Sequence, residues 1–165
     1  MAHRFARYLS STHDDPDWAA LTTLQHDCYM ALVSSEVITW CGVLPYIPAR
    51  FSSFAADLTP KKVASAWGSL ERSGLLVIDK KASEVLVRSF VRHDEVMKSP
   101  NLAKAFLRAF GKVRSRKIKD ALTTEIARLR KENPDWSGWG VIPEPFPEPF
   151  PEPFPEGISN KPTTY

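Results

Sequence analysis

Cysteine, histidine and long apolar runs are all scarce in this 165-residue chain, and each shortage removes a class of protein. Two cysteines, Cys28 and Cys41, are too few for a disulfide framework, and their apolar neighbours mark both as buried thiols. The four histidines, His3, His13, His26 and His93, are scattered, and none has metal-ligand spacing with a cysteine. No metal and no other cofactor is therefore expected. No stretch approaches the roughly 18 consecutive apolar residues of a membrane span. Met1-Ala2-His3-Arg4-Phe5 lacks the apolar run of a signal peptide, so the expected location is the cytoplasm where the chain is made.

Catalytic signatures are also wanting. There is no phosphate-cradling glycine loop, no nucleophile elbow and no carboxylate pair in a strand context. His93-Asp94-Glu95 has the composition of a general-base cluster, yet a polar turn at the end of a strand accounts for it. A core this short is not expected to enclose a pocket of enzyme size. The chain reads as a non-enzyme.

What is abundant is positive charge in one block and proline in another. Between Lys98 and Lys131 there are eleven Lys/Arg and two acids, Asp120 and Glu125, a net of +9. Residues 1–97 are close to neutral, and the stretch from Asp135 onward has five acids and one lysine, a net of −4. A basic block of this kind suits a polyanion, although a solvated helix face gives the same count. Near the C-terminus Pro143-Glu144-Pro145-Phe146 recurs as Pro147-Glu148-Pro149-Phe150 and Pro151-Glu152-Pro153-Phe154. Alternate prolines remove backbone donors and fix φ, so an extended, disordered arm is expected within a tail over residues 135–165, linked to the body by Trp136-Ser137-Gly138-Trp139-Gly140, whose aromatics can pack back on it. Its spaced phenylalanines suit the aromatic groove of a protein partner, and a spacer grown by repeat slippage would look the same.

The order of elements upstream is legible. Leu21, Leu24, Cys28, Ala31 and Leu32 predict a helix from about Thr23 to Ser34, capped by Thr22 or Thr23. Val43 to Ile47 reads as a short edge strand because it contains Pro45, and Pro48 opens a second helix from Ala49 to Ala56 anchored by Phe51 and Phe54. Thr59-Pro60 starts a third helix ending near Ser73 at Gly74, with Val63, Ala66, Trp67 and Leu70 facing the core. Leu75–Asp79 and Glu84–Val91 are strands around a turn at Lys80–Ser83, and the second alternates Val85, Val87 and Ser89 against Leu86, Arg88 and Phe90. Two helices follow. Ser99-Pro100 begins one with Leu102, Phe106, Ala109 and Phe110 as its stripe, ending at Gly111; Ser115 caps the other, whose seam is Ile118, Leu122, Ile126 and Leu129.

Helix, strand, helix, helix, strand, turn, strand is the order of a winged helix-turn-helix. The expected fold is therefore mainly α with a small antiparallel sheet (α+β): a winged helix-turn-helix over residues 1–97, a basic helical extension over 98–134, and the proline-rich tail. The chain also resembles helix-turn-helix proteins encoded by actinobacteria and their phages, often beside replication genes. The matching stretches are Asp14-Asp15-Pro16-Asp17-Trp18, Gly42-Val43-Leu44-Pro45, Ala55-Ala56-Asp57-Leu58-Thr59, Leu86 to Asp94, and Pro100-Asn101. The similarity spans about residues 4–131 and excludes the arm. It implies a winged-helix fold similar to the N-terminal domains of phage replication initiators, double-stranded DNA binding in replication initiation or transcription regulation, and action in a bacterial host's cytoplasm.

The resemblance supplies no base-contacting residues, so these are argued from helix faces. In a helix-turn-helix the second helix enters the major groove. Here that helix presents Lys61, Lys62 and the amides near Thr59 to phosphates, and Ser65, Ser69 and Arg72 toward base edges. No Asn, Gln or N-terminal Arg lies on that face, which argues against sharp direct readout. Lys80 and Lys81 at the wing tip suit the DNA backbone. Arg88 and Arg92 are four apart on or just beyond the last strand, and Arg114, Arg116, Lys117 and Lys119, clustered between the two C-terminal helices, are expected to grip flanking phosphates. Alternatively the Ile118/Leu122/Ile126/Leu129 seam pairs two copies as a homodimer. A reading of another class makes the winged helix a protein-docking scaffold with the arm as its ligand.

Overall fold

The computed structural model describes residues 16–146. A short helix α1 (Pro16–Ala19) leads into α2 (Thr23–Val33). Thr22 starts α2 with a full capping box: its hydroxyl accepts from the Gln25 amide at 3.3 Å, and the Gln25 side chain accepts from the Thr22 amide at 2.8 Å. Trp18 is buried and stacks on His26, ring centroids 4.4 Å apart.

Strand β1 (Val43–Pro45) follows Gly42, whose φ of +78° and contact with Phe90 leave no room for a Cβ. Helix α3 is only Pro48–Phe51, continued by a 3₁₀ turn at Ser52–Phe54, shorter than the expected Ala49–Ala56. The hydroxyls of Ser52 and Ser53 donate back to the carbonyls of Ala49 and Arg50, which competes with further helix. Phe51 is buried against Trp67, ring centroids 5.1 Å apart, but the expected anchor Phe54 is 58% exposed.

Helix α4 (Pro60–Arg72) begins and ends as its sequence dictates. Thr59 accepts from the Lys62 amide, and Gly74, at φ +76°, closes a Schellman motif in which Gly74 and Leu75 donate to the carbonyls of Glu71 and Leu70. Its buried face is Val63, Ala66, Trp67 and Leu70.

Strands β2 (Leu76–Asp79) and β3 (Glu84–Val87) form an antiparallel hairpin, and among the described residues the sheet order is β1-β3-β2. Val43 pairs with Leu86, and Ile78 with Val85. The edge position expected of β1 holds, with Pro45 opposite Glu84. The alternation expected along β3 does not, because Glu84, Val85, Leu86 and Val87 are all buried in this central strand. Nor does β3 reach Val91. Its neighbours end at Val43 and Leu76, and the chain turns into α5 (Phe90–His93), burying Phe90 and Val91.

A 3₁₀ turn at Val96–Lys98 leads to α6 (Pro100–Lys112), then α7 (Arg116–Glu132) and a last 3₁₀ turn at Ser137–Val141. One hydrophobic cluster runs from Trp18 to Ile142, so the expected division at 97/98 is no break in the core. Two further expectations are corrected here. The seam Ile118, Leu122, Ile126 and Leu129 is at most 2% exposed, filled by the chain's own core, so it is not a surface on which two copies can pair. Residues 135–146 are not part of a disordered tail: Trp136 and Trp139 pack back on the core as the linker's aromatics suggest, Ile142 and Phe146 join them, and a Cβ at Gly138 would overlap the Met97 carbonyl. The later repeats lie outside the described residues. Among the described residues no helix is long and apolar enough to cross a membrane.

Candidate nucleic-acid interface

The exposed side of α4 collects most of the groups expected there. Lys61, Lys62, Ser65 and Arg72 are exposed, and Ser69 is half-buried. Their freedom differs. Lys61 has no partner among the described residues, whereas Lys62 Nζ donates to the Asp57 carbonyl at 2.7 Å and lies 3.9 Å from its carboxylate. Arg72 donates to the Ser69 hydroxyl at 2.7 Å, so these two act as a pair. Thr59 proves to be a cap. With Pro60 lacking an N–H, and Lys62 and Val63 bonded to Thr59, only the Lys61 amide of the first turn is left for a phosphate.

The hairpin turn presents Lys80 and Lys81, both exposed. Asp79 organises this turn by accepting from the amides of Lys81 and Ala82 at 3.0 and 3.1 Å. Lys80 Nζ lies 5.9 Å from the ring centre of Tyr46, which in turn meets Trp67 of α4 edge-on at 5.5 Å. Tyr46 thus links the hairpin tip to α4. Neither Tyr46 nor Arg50 stands out from helix-face periodicity alone; Arg50 is an exposed cation on α3 with no acidic partner among the described residues. The signal for Arg50 was its place on the helix that precedes α4.

The C-terminal cations behave differently. Arg114 donates to the Ala82 carbonyl at 2.7 Å and stands 3.7 Å from Glu84. Lys117 bonds Glu71 at 2.9 Å and the Ile78 carbonyl at 3.0 Å, and Lys119 lies 5.7 Å from the centre of the Phe110 ring. Arg116 is exposed with no acidic partner among the described residues. Arg114 and Lys117 are thus fasteners between α7 and the hairpin. Three carboxylates complete the joint. Buried Glu84 accepts the amides of Arg114 and Ser115; Asp79 accepts the Ser115 hydroxyl at 2.7 Å; Glu71 accepts the Ile78 amide at 3.0 Å. The Ser115 hydroxyl and the turn amides hold Asp79 below the usual carboxylate range. Glu71 is raised by burial, but the bonds from Lys117 and Ile78 outweigh this and lower it.

Arg88 and Arg92 lie elsewhere. Arg88 donates to the Gly74 carbonyl at 3.1 Å, and Arg92 shares Glu125 with Arg128 at 2.9 and 2.7 Å. They line a cleft of about 330 Å³ with Tyr29, Ser89 and Phe90, which corrects the expectation that the core has no room for a pocket. Tyr29 bonds Ser89 at 2.7 Å, and burial pushes its phenol up, so it stays neutral. Burial likewise raises the thiols of Cys28 and Cys41, which are free and buried. Among the described residues no group of three or more His, Cys, Asp or Glu is placed to hold a metal ion.

No family model, curated protein or solved structure matches the chain.

Proposed function

We propose that the chain is a winged helix-turn-helix protein that binds double-stranded DNA, with α4 in the major groove and the β2–β3 turn on the adjacent backbone. The observation that carries this is the exposure of basic side chains both on one helix and on the tip of the hairpin packed against it. Lys61, Lys62, Arg72, Lys80 and Lys81 all stand exposed on elements joined through Tyr46 and Trp67. The element order and the position of β2–β3 as the last hairpin support the fold reading. Arg50 joins the set from α3, and Arg116 from the start of α7. A departure is the abbreviated α3, with five residues, 55–59, between its 3₁₀ extension and α4.

Binding by this surface is mainly to phosphates. Ser65 and Ser69 are the groups that reach base edges, and Ser69 is held by Arg72. Sequence preference is correspondingly weak. A role in replication initiation or transcription regulation of a phage or phage-derived system rests on the resemblance.

Fluorescence anisotropy of the full chain with a random-sequence duplex, at several salt concentrations, tests the reading. Contact with six to ten phosphates predicts a loss of about a thousand-fold or more between roughly 50 and 200 mM salt. Absence of binding even at low salt overturns it.

A further inference from the structure

The first Pro-Glu-Pro-Phe unit is not an idle spacer. Phe146 rests on two rings of α6, its centroid 4.9 Å from Phe110 and 6.0 Å from Phe106, with Phe106 and Phe110 themselves stacked at 5.9 Å. Two residues earlier, Glu144 is 3.4 Å from Arg130 of α7. Arg130 also donates to the Ile142 carbonyl at 3.1 Å and lies 5.2 Å from the Trp139 ring centre. An aromatic wall and one guanidinium, set at the spacing of a glutamate and a phenylalanine, therefore receive the unit. The same Glu-Pro-Phe triplet occurs at Glu148–Phe150 and Glu152–Phe154. Three units exist for one such seat among the described residues.

A later unit is badly placed to take the seat of its own chain. Ile142 is buried and Gly138 is pressed on Met97, which fixes the chain just before the first unit. Phe150 comes four residues after Phe146 in sequence; four residues of any polyproline segment span about 12 Å, and alternate prolines leave few donors for a tight reversal. A second copy has no such restriction. Exchange between two copies keeps every Phe-on-Phe and Glu-to-Arg contact, so its cost is that of association, and tandem units reduce that cost through effective concentration. Charge favours it too, since each later unit carries a glutamate and α7 offers Lys131 next to Arg130.

We infer that the Phe106/Phe110/Arg130 seat is a binding site for Pro-Glu-Pro-Phe units, and that the second and third units of one copy engage the seat of another, linking copies through their tails. The experiment uses full-length chains and a labelled peptide of the sequence of residues 147–154. The seat is emptied by the triple variant Phe146→Ala/Phe150→Ala/Phe154→Ala. The peptide binds the triple variant saturably in fluorescence anisotropy and binds the unaltered chain at least about tenfold more weakly, a difference of about 1.4 kcal/mol. Adding Arg130→Gln to the triple variant, with unchanged circular dichroism, weakens the peptide by a similar factor. Absence of saturable binding, or equal binding to filled and emptied seats, overturns the site. Sedimentation velocity then tests the link. The unaltered chain associates as its concentration rises, and Phe150→Ala/Phe154→Ala, which leaves Phe146 in place, does not. Equal association of the two overturns the exchange.

Discussion

Helices α4 and α6 are written to nearly the same plan and meet different fates. Each has thirteen residues, a hydroxyl residue followed by proline at its start, and lysines or arginines opposite an apolar stripe. Thr59 makes its side-chain cap to Lys62, whereas the hydroxyl of Ser99 makes none. The apolar face of α4 is covered by α2 and α3, and its lysines and Arg72 stay exposed. The stripe of α6 is covered by chain that comes later, Ser137–Val141 and Phe146. Amphipathic pattern tells which face is buried; what buries it, and what adjoins the other face, is decided by connections.

The largest expected effect separates the two basic faces. Replacement of Lys61, Lys62, Lys80 and Lys81 by alanine lowers duplex affinity at least about a hundred-fold, since several phosphate contacts go together. Replacement of Lys104 and Arg108, exposed on α6, leaves it within about threefold. Equal losses in the two anisotropy titrations would erase the distinction. Next comes the α7 seam. Leu122→Ala lowers stability by about 2–5 kcal/mol in a denaturant melt, because Leu122 is 1% exposed and its removal leaves a cavity. The oligomeric state stays the same, which a dimer seam would not allow.

Two smaller effects concern how the late chain is fastened. Gly138→Ala costs about 1–3 kcal/mol, since its methyl meets the Met97 carbonyl and the 3₁₀ turn has to lift. An unchanged melting temperature would show that the turn adjusts freely. Ser115→Ala, the smallest, costs about 1 kcal/mol through loss of the α7 cap. It also blunts acid sensitivity. Asp79 and Glu71 are held below their ordinary values in the folded chain, so their contribution is complete above about pH 5. It is lost as the pH falls through the lowered folded values, and the drop in melting temperature below about pH 4 is shallower in the variant.

The parts of the fold that were legible are those written in local chemistry. Thr22, Thr59 and Ser115 each cap the helix they precede, and Gly74 ends α4. Val43, Leu76 and Glu84 each begin a strand near its expected start. The misreadings share a cause. Phe90 and Val91 continue the strand pattern in sequence, but no neighbouring strand extends that far, so a short helix, Phe90–His93, buries the same apolar residues. Phe54 has the spacing of an anchor and lacks anything to anchor to. Within the candidate interface, Lys61, Lys80 and Lys81 could be chosen from sequence because exposure follows from periodicity and turn chemistry. The roles of Arg114 and Lys117 could not, because their partners Glu84 and Glu71 are 30 and 46 residues away.

By itself the sequence determined where helices start and stop, which faces are apolar and where positive charge gathers, because caps, prolines and periodicity act over a few residues. Only the tertiary structure decided that α7 is core and no dimer seam, that the arm begins by docking on α6, and which cations are spent on carboxylates. Those outcomes depend on pairings between distant segments, where burial of apolar area and the matching of charges select among neighbours that no local pattern names.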